Sequence, residues 1–518
     1  MKNLKFLLLG LIVLSLAIFP AHGFAKSETI VYGTTEKIID MDPANAYDFH
    51  TWEIFYNIYQ GLMTYPPGST ELVPALAESY EISADGKSYT FKLREGLKFS
   101  DGTPFDADAV KWSIDRVIAL KGDPSWLVTD FVDRVEVAGK HSVKFVLKNP
   151  VAYFPSLVAS CPYFPVNPNA YPKDKIIRDP SELKGGKLVG LGPYNVVSFK
   201  RDQEIVMDAN PGYYGPKPKT NRIVIRYFAD ATTMRLALEK GEIDIAFKTL
   251  NPSDIADLEK SDKVNTIKAQ GPYIRYLCFL CAQSPFKDKV LRQAVTAAIN
   301  RPEIMQKVFL GQNAPLYSMV PMGMWSHADE FKRVYGDGNV QKAKELLASK
   351  GYNESNPFVF DLWYTPSHYG DTEVDMAAVL KAQLEKTGVM KVNVKSAEWA
   401  TYRDQWHNKQ MPCYLLGWYP DYIDPDNYTA AFAGTAGSAG MGIYFSDPEW
   451  DKILTQGQTV PDFKKRVAIY EKIQQMWAED VPTAPIFQGT LYVFTQKGVH
   501  GVKLSPTLRF NYDPLYKD

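Results

Sequence analysis

Several short patterns in this 518-residue chain have residue types or spacings that could do chemistry, and each would imply a different activity. Cys278-x-x-Cys281 has the spacing of a redox pair or half a zinc site. No second pair follows, and both thiols fall in the strand-like stretch Tyr276-Leu277-Cys278-Phe279-Leu280-Cys281, where side chains three apart point to opposite faces. Structural cysteines are the better reading. Gly437-Ser438-Ala439-Gly440 follows Ala436, which stands where a nucleophile elbow needs a glycine. Gly185-Gly186-Lys187 runs into Leu188, which cannot coordinate magnesium as the Ser or Thr of a phosphate loop does. Gly190-Leu191-Gly192 runs into Pro193 without a third glycine. His50, His141, His327, His368, His407 and His500 are scattered without ligand spacing. No nucleophile, base and orienting group stand at a recognisable spacing, so no enzyme, catalytic residue, cofactor or metal is expected.

Gly417-Trp418-Tyr419-Pro420-Asp421 places two aromatics beside a carboxylate. A carboxylate enclosed away from water is costly unless a cation pairs with it, and a tryptophan beside it adds cation-π contact. Taken alone, Asp421 is better read as a turn former, since Asp424-Pro425-Asp426-Asn427 follows at once. Asp424 and Asp426 read as turn and capping residues. The chain holds 31 Tyr, 27 Phe and 10 Trp, enough both to fill cores and to line a cavity.

The elements that must position such a site alternate between strand and helix, which predicts an α/β architecture. Tyr89 to Arg94 alternates as a half-buried strand, and Asp106 caps a helix whose Val110, Ile114, Val117 and Ile118 share one face. Asp230 caps another, containing Met234, Ala237 and Leu238, stopped by Gly241 and followed by a strand at Ile243 to Ala246. Further helices are predicted from Asp288 to Asn300, from Pro302 to Gly311, from Gln341 to Lys350 and from Asp371 to Thr387. Asn210 to Pro218 reads as a loop inside one domain, with a strand from Arg222 to Phe228 after it.

The first 25 residues carry Lys2 and Lys5, an apolar run from Phe6 to Phe19, and the small-residue stretch Gly23-Phe24-Ala25. This pattern predicts a secretory signal cleaved near Ala25, since the run is too short to span a bilayer. The first cysteine is Cys161, so no lipid anchor is expected, and a periplasm is the compartment that would retain the protein. With 58 basic and 59 acidic residues there is no nucleic-acid footprint. Cys161, Cys278, Cys281 and Cys413 are too few for a disulfide scaffold, though one or two bridges would fit. About 490 mature residues exceed what one core usually supports, so two or three domains are expected.

From Leu72 to Arg116 the sequence LVPALAESYEISADGKSYTFKLREGLKFSDGTPFDADAVKWSIDR resembles the signature segment of the peptide/nickel family of periplasmic solute-binding proteins. Gly190 to Gly215, the ALEKGEIDIA stretch ending at Ala246, Pro285 to Arg301, and Gly417 to Tyr428 resemble further blocks of that family in the same order. The resemblance implies a bilobal periplasmic-binding-protein fold, type II-like with an extra domain (cluster C). Lobe I would comprise 26–60 with 190–272 and 489–518, the extra domain 61–189, and lobe II 273–488. The implied function is the binding protein of an ABC importer. It would be a monomer that closes on a peptide or similar amine-bearing solute and delivers it to a membrane permease.

In peptide-binding branches the positions matching Asp421 and Trp418, with Tyr419 between them, meet the ligand's α-ammonium. Dipeptide-binding members carry an arginine for the ligand carboxylate just before the helix matching Asp371 to Thr387; the stretch here, Tyr364 to Tyr369, has none and offers only His368. Nickel-binding members flank a chelated metal with arginines, absent here from Gly122 to Trp126 and Ser160 to Tyr163. Trp126 and Tyr163 remain as pocket residues or as packing residues. A metallophore or other non-peptide solute is the competing ligand class, and a secreted peptide hydrolase the competing activity.

Overall fold

The computed structural model describes residues 29–518 apart from 249, 367, 505 and 508. The leader assigned to residues 1–25 lies outside the described residues. An 11-stranded mixed sheet runs through the molecule. Its order is Met390–Ser396, Phe358–Tyr364, Cys413–Trp418, Val264–Phe279, Thr483–Gln496, Ile245–Phe247, Thr29–Thr34, Arg222–Tyr227, Glu204–Ala209 and Tyr194–Lys200, with Ala314–Pro315 beside Thr483–Gln496.

The two longest strands organise everything else. Val264–Phe279 and Thr483–Gln496 run antiparallel, Val264 to Gln270 pairing with Gln496 to Thr490, and Ile274 to Cys278 with Gln488 to Thr483. The register slips between Gln270 and Ile274. Such an irregularity bends a strand and increases its twist, and here it divides two hydrophobic cores. One contains Ile30, Ile225 and Val493, the other Leu277, Leu416 and Trp477, and Tyr273 packs against both. Gly489 is required at this point, because a Cβ there would collide with the Tyr273 ring.

A second sheet, of four antiparallel strands in the order Ala77–Ile82, Ser88–Leu93, Ser142–Leu147 and Val132–Gly139, is covered by the helix Ala107–Leu120. Its Phe91, Phe145, Val110 and Ile114 belong to the same continuous core as Ile30, so this segment shares its interior with the N-terminal lobe. A buried ion pair helps join the two. Arg116 on the helix donates to both carboxylate oxygens of Asp42, at 2.8 and 2.5 Å.

The helices start where acidic caps predict. Asp106, Asp230 and Asp288 accept from Ala109, Thr233 and Val290 backbone N–H groups. Lys289–Ala298, Arg301–Phe309, Val340–Ala348 and Thr372–Glu385 are the helices at the later predicted positions. The strand predicted from Ile243 begins only at Ile245, because Asp244 turns its carboxylate onto the Val31 backbone N–H at 2.7 Å. All four cysteines are buried thiols, Cys278 on a strand and Cys281 beyond its end. Among the described residues no group of three His, Cys, Asp or Glu is arranged to hold a metal, and no helix is long and apolar enough to cross a membrane.

Candidate ligand-binding site

A cavity of about 910 Å³ opens between the two cores beside the register slip. Tyr47, Phe49 and Lys248 line it from the first core's side, and Arg275, Glu373 and Asp421 from the second. Its size and mixed apolar and charged lining suit a small organic solute.

Asp421 is placed by the end of a strand. Cys413–Trp418 finishes beside Ile274 and Arg275, the chain turns, and Asp424 caps the short 3-10 helix Pro425–Tyr428 by accepting from the Asp426 N–H. Asn427 on that helix accepts from both the Trp418 indole N–H at 3.0 Å and the Asp421 backbone N–H at 3.1 Å. Asp421 is only 5% exposed. Its side chain accepts from the Tyr47 hydroxyl at 2.7 Å and from the Asn427 amide at 3.4 Å. Both donors are neutral, and among the described residues no cation pairs with it. Burial pushes its carboxyl up to about 6, against the lowering effect of those two hydrogen bonds. A buried carboxylate without a counter-charge is a standing demand for a cation.

Some other charges in the cavity are matched and some are not: Asp48, which accepts from the Thr51 backbone N–H at 2.7 Å, has no ion-pair partner among the described residues and is likewise pushed up to about 6 by burial. Lys248 lies 3.0 Å from both Glu36 and Glu53 and stays protonated, the pull of the two carboxylates outweighing its burial. His50 contacts Glu36 and the Tyr227 hydroxyl, and burial pushes it down to about 4. Arg275 meets Glu373 at 3.2 Å and lies 3.7 Å from the Tyr369 ring centroid. Aromatics form the remaining wall, with Tyr419 stacked on Tyr273 at 5.0 Å and beside Phe49 at 4.8 Å.

Asp424 and Asp426 lie off the cavity. Asp424 forms a two-point ion pair with Arg466 as well as its cap, and Asp426 accepts from Tyr422.

Residues 71–440 match the model of the bacterial extracellular solute-binding proteins, family 5, in its middle region. The chain belongs to this family. Heme-binding protein A of Haemophilus influenzae is 28% identical over 515 residues, spanning 95% of this chain and 92% of that protein. The dipeptide-binding protein of Escherichia coli is 27% identical over 479 residues, 88% of each chain. Among solved structures, an ABC transporter-associated periplasmic binding protein from Helicobacter pylori, in complex with the peptide STSA, superposes with a TM-score of 0.77 at 25% identity, covering 95% of this chain and 98% of that one. The fold is therefore the two-lobed α/β fold of solute-binding proteins.

Of the residues singled out from sequence, Asp421, Trp418, Tyr419 and His368 all line this cavity. Trp126 and Tyr163 do not. Tyr163 is 1% exposed, packs among Phe145 and Phe154, and donates its hydroxyl to the Leu127 carbonyl at 2.8 Å, which makes it a core residue. Trp126 stands one step back, hydrogen-bonded to Tyr47, the residue that holds Asp421. His368 stacks flat on Trp399, ring centroids 3.6 Å apart. Desolvation against that ring and the positive charges of Arg275 and Arg403 push it down to about 4, so at neutral pH it is uncharged and does not replace the missing arginine. Sequence reasoning missed Tyr47, Lys248, Glu373 and Arg275. Only Arg275 carried a local signal, as the one charge in the otherwise apolar and aromatic run from Tyr273 to Phe279.

Proposed function

We propose that this chain is the periplasmic receptor of an ABC importer, taking up a short peptide or another solute with a free α-ammonium and presenting the closed, loaded form to a membrane permease. The observation that carries this reading is Asp421, enclosed between the cores, hydrogen-bonded only by neutral donors and lacking a cation. Trp418 and Tyr419 would flank the ammonium, a favourable placement for a cation near ring faces. Lys248 and Arg275 already face acids, so neither competes for Asp421, and a ligand ammonium would supply the counter-charge that Asp421 lacks.

The two strand crossings near residues 270–274 and 488–490 would be the hinge between lobe I and lobe II, with the segment 61–189 carried on lobe I. A ligand that touches both lobes only when they are closed stabilises that state by its differential affinity. Binding of this kind requires no covalent step, and we infer that the protein is not an enzyme.

Protein purified without refolding is denatured, and the small molecules it releases are identified by mass spectrometry. Peptides or other primary amines are expected. A metal chelate or an amine-free solute would keep the receptor but overturn the ligand class, and turnover of an added peptide would overturn the receptor reading.

A further inference from the structure

The loop that carries Asp421 is gripped from outside the cavity by the inserted four-stranded domain. Tyr153 follows strand Ser142–Leu147 of that domain and is buried in the first core. Its ring stacks on Tyr422, the residue after Asp421, with centroids 5.0 Å apart and planes within 3° of parallel. Tyr422 packs in the first core, although Leu416 and Tyr428 on either side of it in the chain pack in the second. One residue before Tyr153, the Ala152 backbone N–H donates to the Gln458 carbonyl at 2.8 Å. Gln458 lies on helix Pro448–Thr459, whose Trp450 and Leu454 belong to the second core. A ring and a backbone N–H of one short segment therefore cross from one core's side to the other.

The face that receives Tyr153 is built by bonds that do not involve it. Asp424 holds Arg466 at two points, and the guanidinium lies 5.9 Å from the Tyr153 ring centroid. Asp426 accepts from Tyr422 at 2.8 Å and from Tyr470 at 3.3 Å. These contacts all fall between residues 422 and 470, so the socket stands whether or not the ring occupies it. Ala152, Tyr153, Tyr422 and Gln458 do not line the cavity.

A contact that joins the two lobes without touching the cavity stabilises the closed form with or without a solute. We propose that Ala152 and Tyr153 form a latch by which the inserted domain clips onto the Asp421 loop, so that the empty receptor populates the closed form and Asp421 is held against Tyr47 before a solute arrives. This inference rests on the hinge between the lobes proposed above. The latch favours no particular solute. A ligand that binds only the closed form has its apparent affinity reduced by the fraction of receptor that is closed, so the latch strengthens the binding of every such solute alike.

The test is a lobe-to-lobe distance measured by double electron–electron resonance. The full mature protein is stripped of small molecules by unfolding, dialysis and refolding, and carries spin labels on Lys240→Cys and Glu345→Cys, exposed positions on the two lobes. The four native thiols are buried. Ala152→Pro removes the crossing N–H. The Phe154 N–H donates to the Val151 carbonyl, and Tyr153 has φ −98° and ψ 13°, so Ala152 is the second residue of a type I turn, a position that favours proline, and the variant is expected to fold. Tyr153→Leu removes the stack but keeps an apolar side chain in the core. The stripped wild type is expected to show a short distance beside a longer one. Each variant is expected to move weight to the longer distance, lowering the closed-to-open ratio about two- to tenfold, the worth of one hydrogen bond or one aromatic pair. A folded Ala152→Pro or Tyr153→Leu protein with wild-type weights overturns the latch, as does a stripped wild type that lacks the short distance. One fixed short distance in all three proteins overturns the hinge reading as well.

Discussion

Replacing Asp421 by Asn should separate the stability of this receptor from its function, and the expected magnitudes follow from the burial of the carboxyl. In the unliganded protein, burial raises Asp421 from 3.8 to about 6. At about 1.4 kcal/mol per pH unit, keeping it ionised at neutral pH costs the folded state about 3 kcal/mol. Because the folded value is raised, the stabilisation from protonating this group is present below the unfolded value of 3.8 and disappears as pH rises through about 6. Asp421→Asn removes the ionisation while Tyr47 can still donate to the remaining oxygen, so the unliganded variant should melt higher than wild type at pH 7.5, with the gap closing toward pH 4. Ligand binding should suffer. Losing one partner of a buried ion pair costs about 2–5 kcal/mol, which is about 30- to 5,000-fold in affinity. In the wild type, an ammonium bound to ionised Asp421 competes with a proton. Its affinity should therefore fall about tenfold between pH 7.5 and pH 5, with proton release on binding near pH 6. Titration calorimetry of a retained peptide in two buffers of different ionisation enthalpy measures the protons released, and thermal melts across the pH range measure stability. An unliganded variant no more stable than wild type, with affinity within twofold of it, would refute the assignment of Asp421 as the ammonium site.

Two further perturbations probe the frame that holds the site. Arg116→Met strands the buried Asp42 carboxylate without its partner and should destabilise the protein by about 3–5 kcal/mol, while the fraction that stays folded at low temperature binds with wild-type affinity; a melting temperature equal to wild type would show that the pair does not join the inserted sheet to its lobe. Gly489→Val forces the Tyr273 ring out of the gap between the two strand crossings. The compaction seen by small-angle scattering on adding ligand should then shrink or vanish, and closure identical to wild type would place the hinge elsewhere.

Much of the fold was readable because its signals are short-range. Asp106, Asp230 and Asp288 cap helices at the predicted positions, and Gly311, Gly351 and Gly388 take positive φ where helices were expected to stop. The failed catalytic motifs could be judged from adjacent residues for the same reason. Asp421, Trp418 and Tyr419, which line the cavity, were singled out through the family resemblance of the run Gly417 to Tyr428; the residues by themselves read as a turn. Trp126 and Tyr163 illustrate the limit. Their types suit a pocket wall or a core equally, and only the packing of Tyr163 against Phe145 and Phe154, and of Trp126 behind Tyr47, separates the two.

By itself, then, the sequence determined the alternating α/β elements, where most of them begin and end, and a family resemblance that a match over residues 71–440 makes definite. The tertiary structure alone decided the electrostatics of the site. Whether Asp421 is paired depends on Tyr47, 374 residues away, and whether Arg275 has a counter-charge depends on Glu373, 98 residues away. A charge's worth is set by what surrounds it, and those surroundings are assembled by strand pairing and lobe packing that leave no trace in the neighbouring residues of the chain.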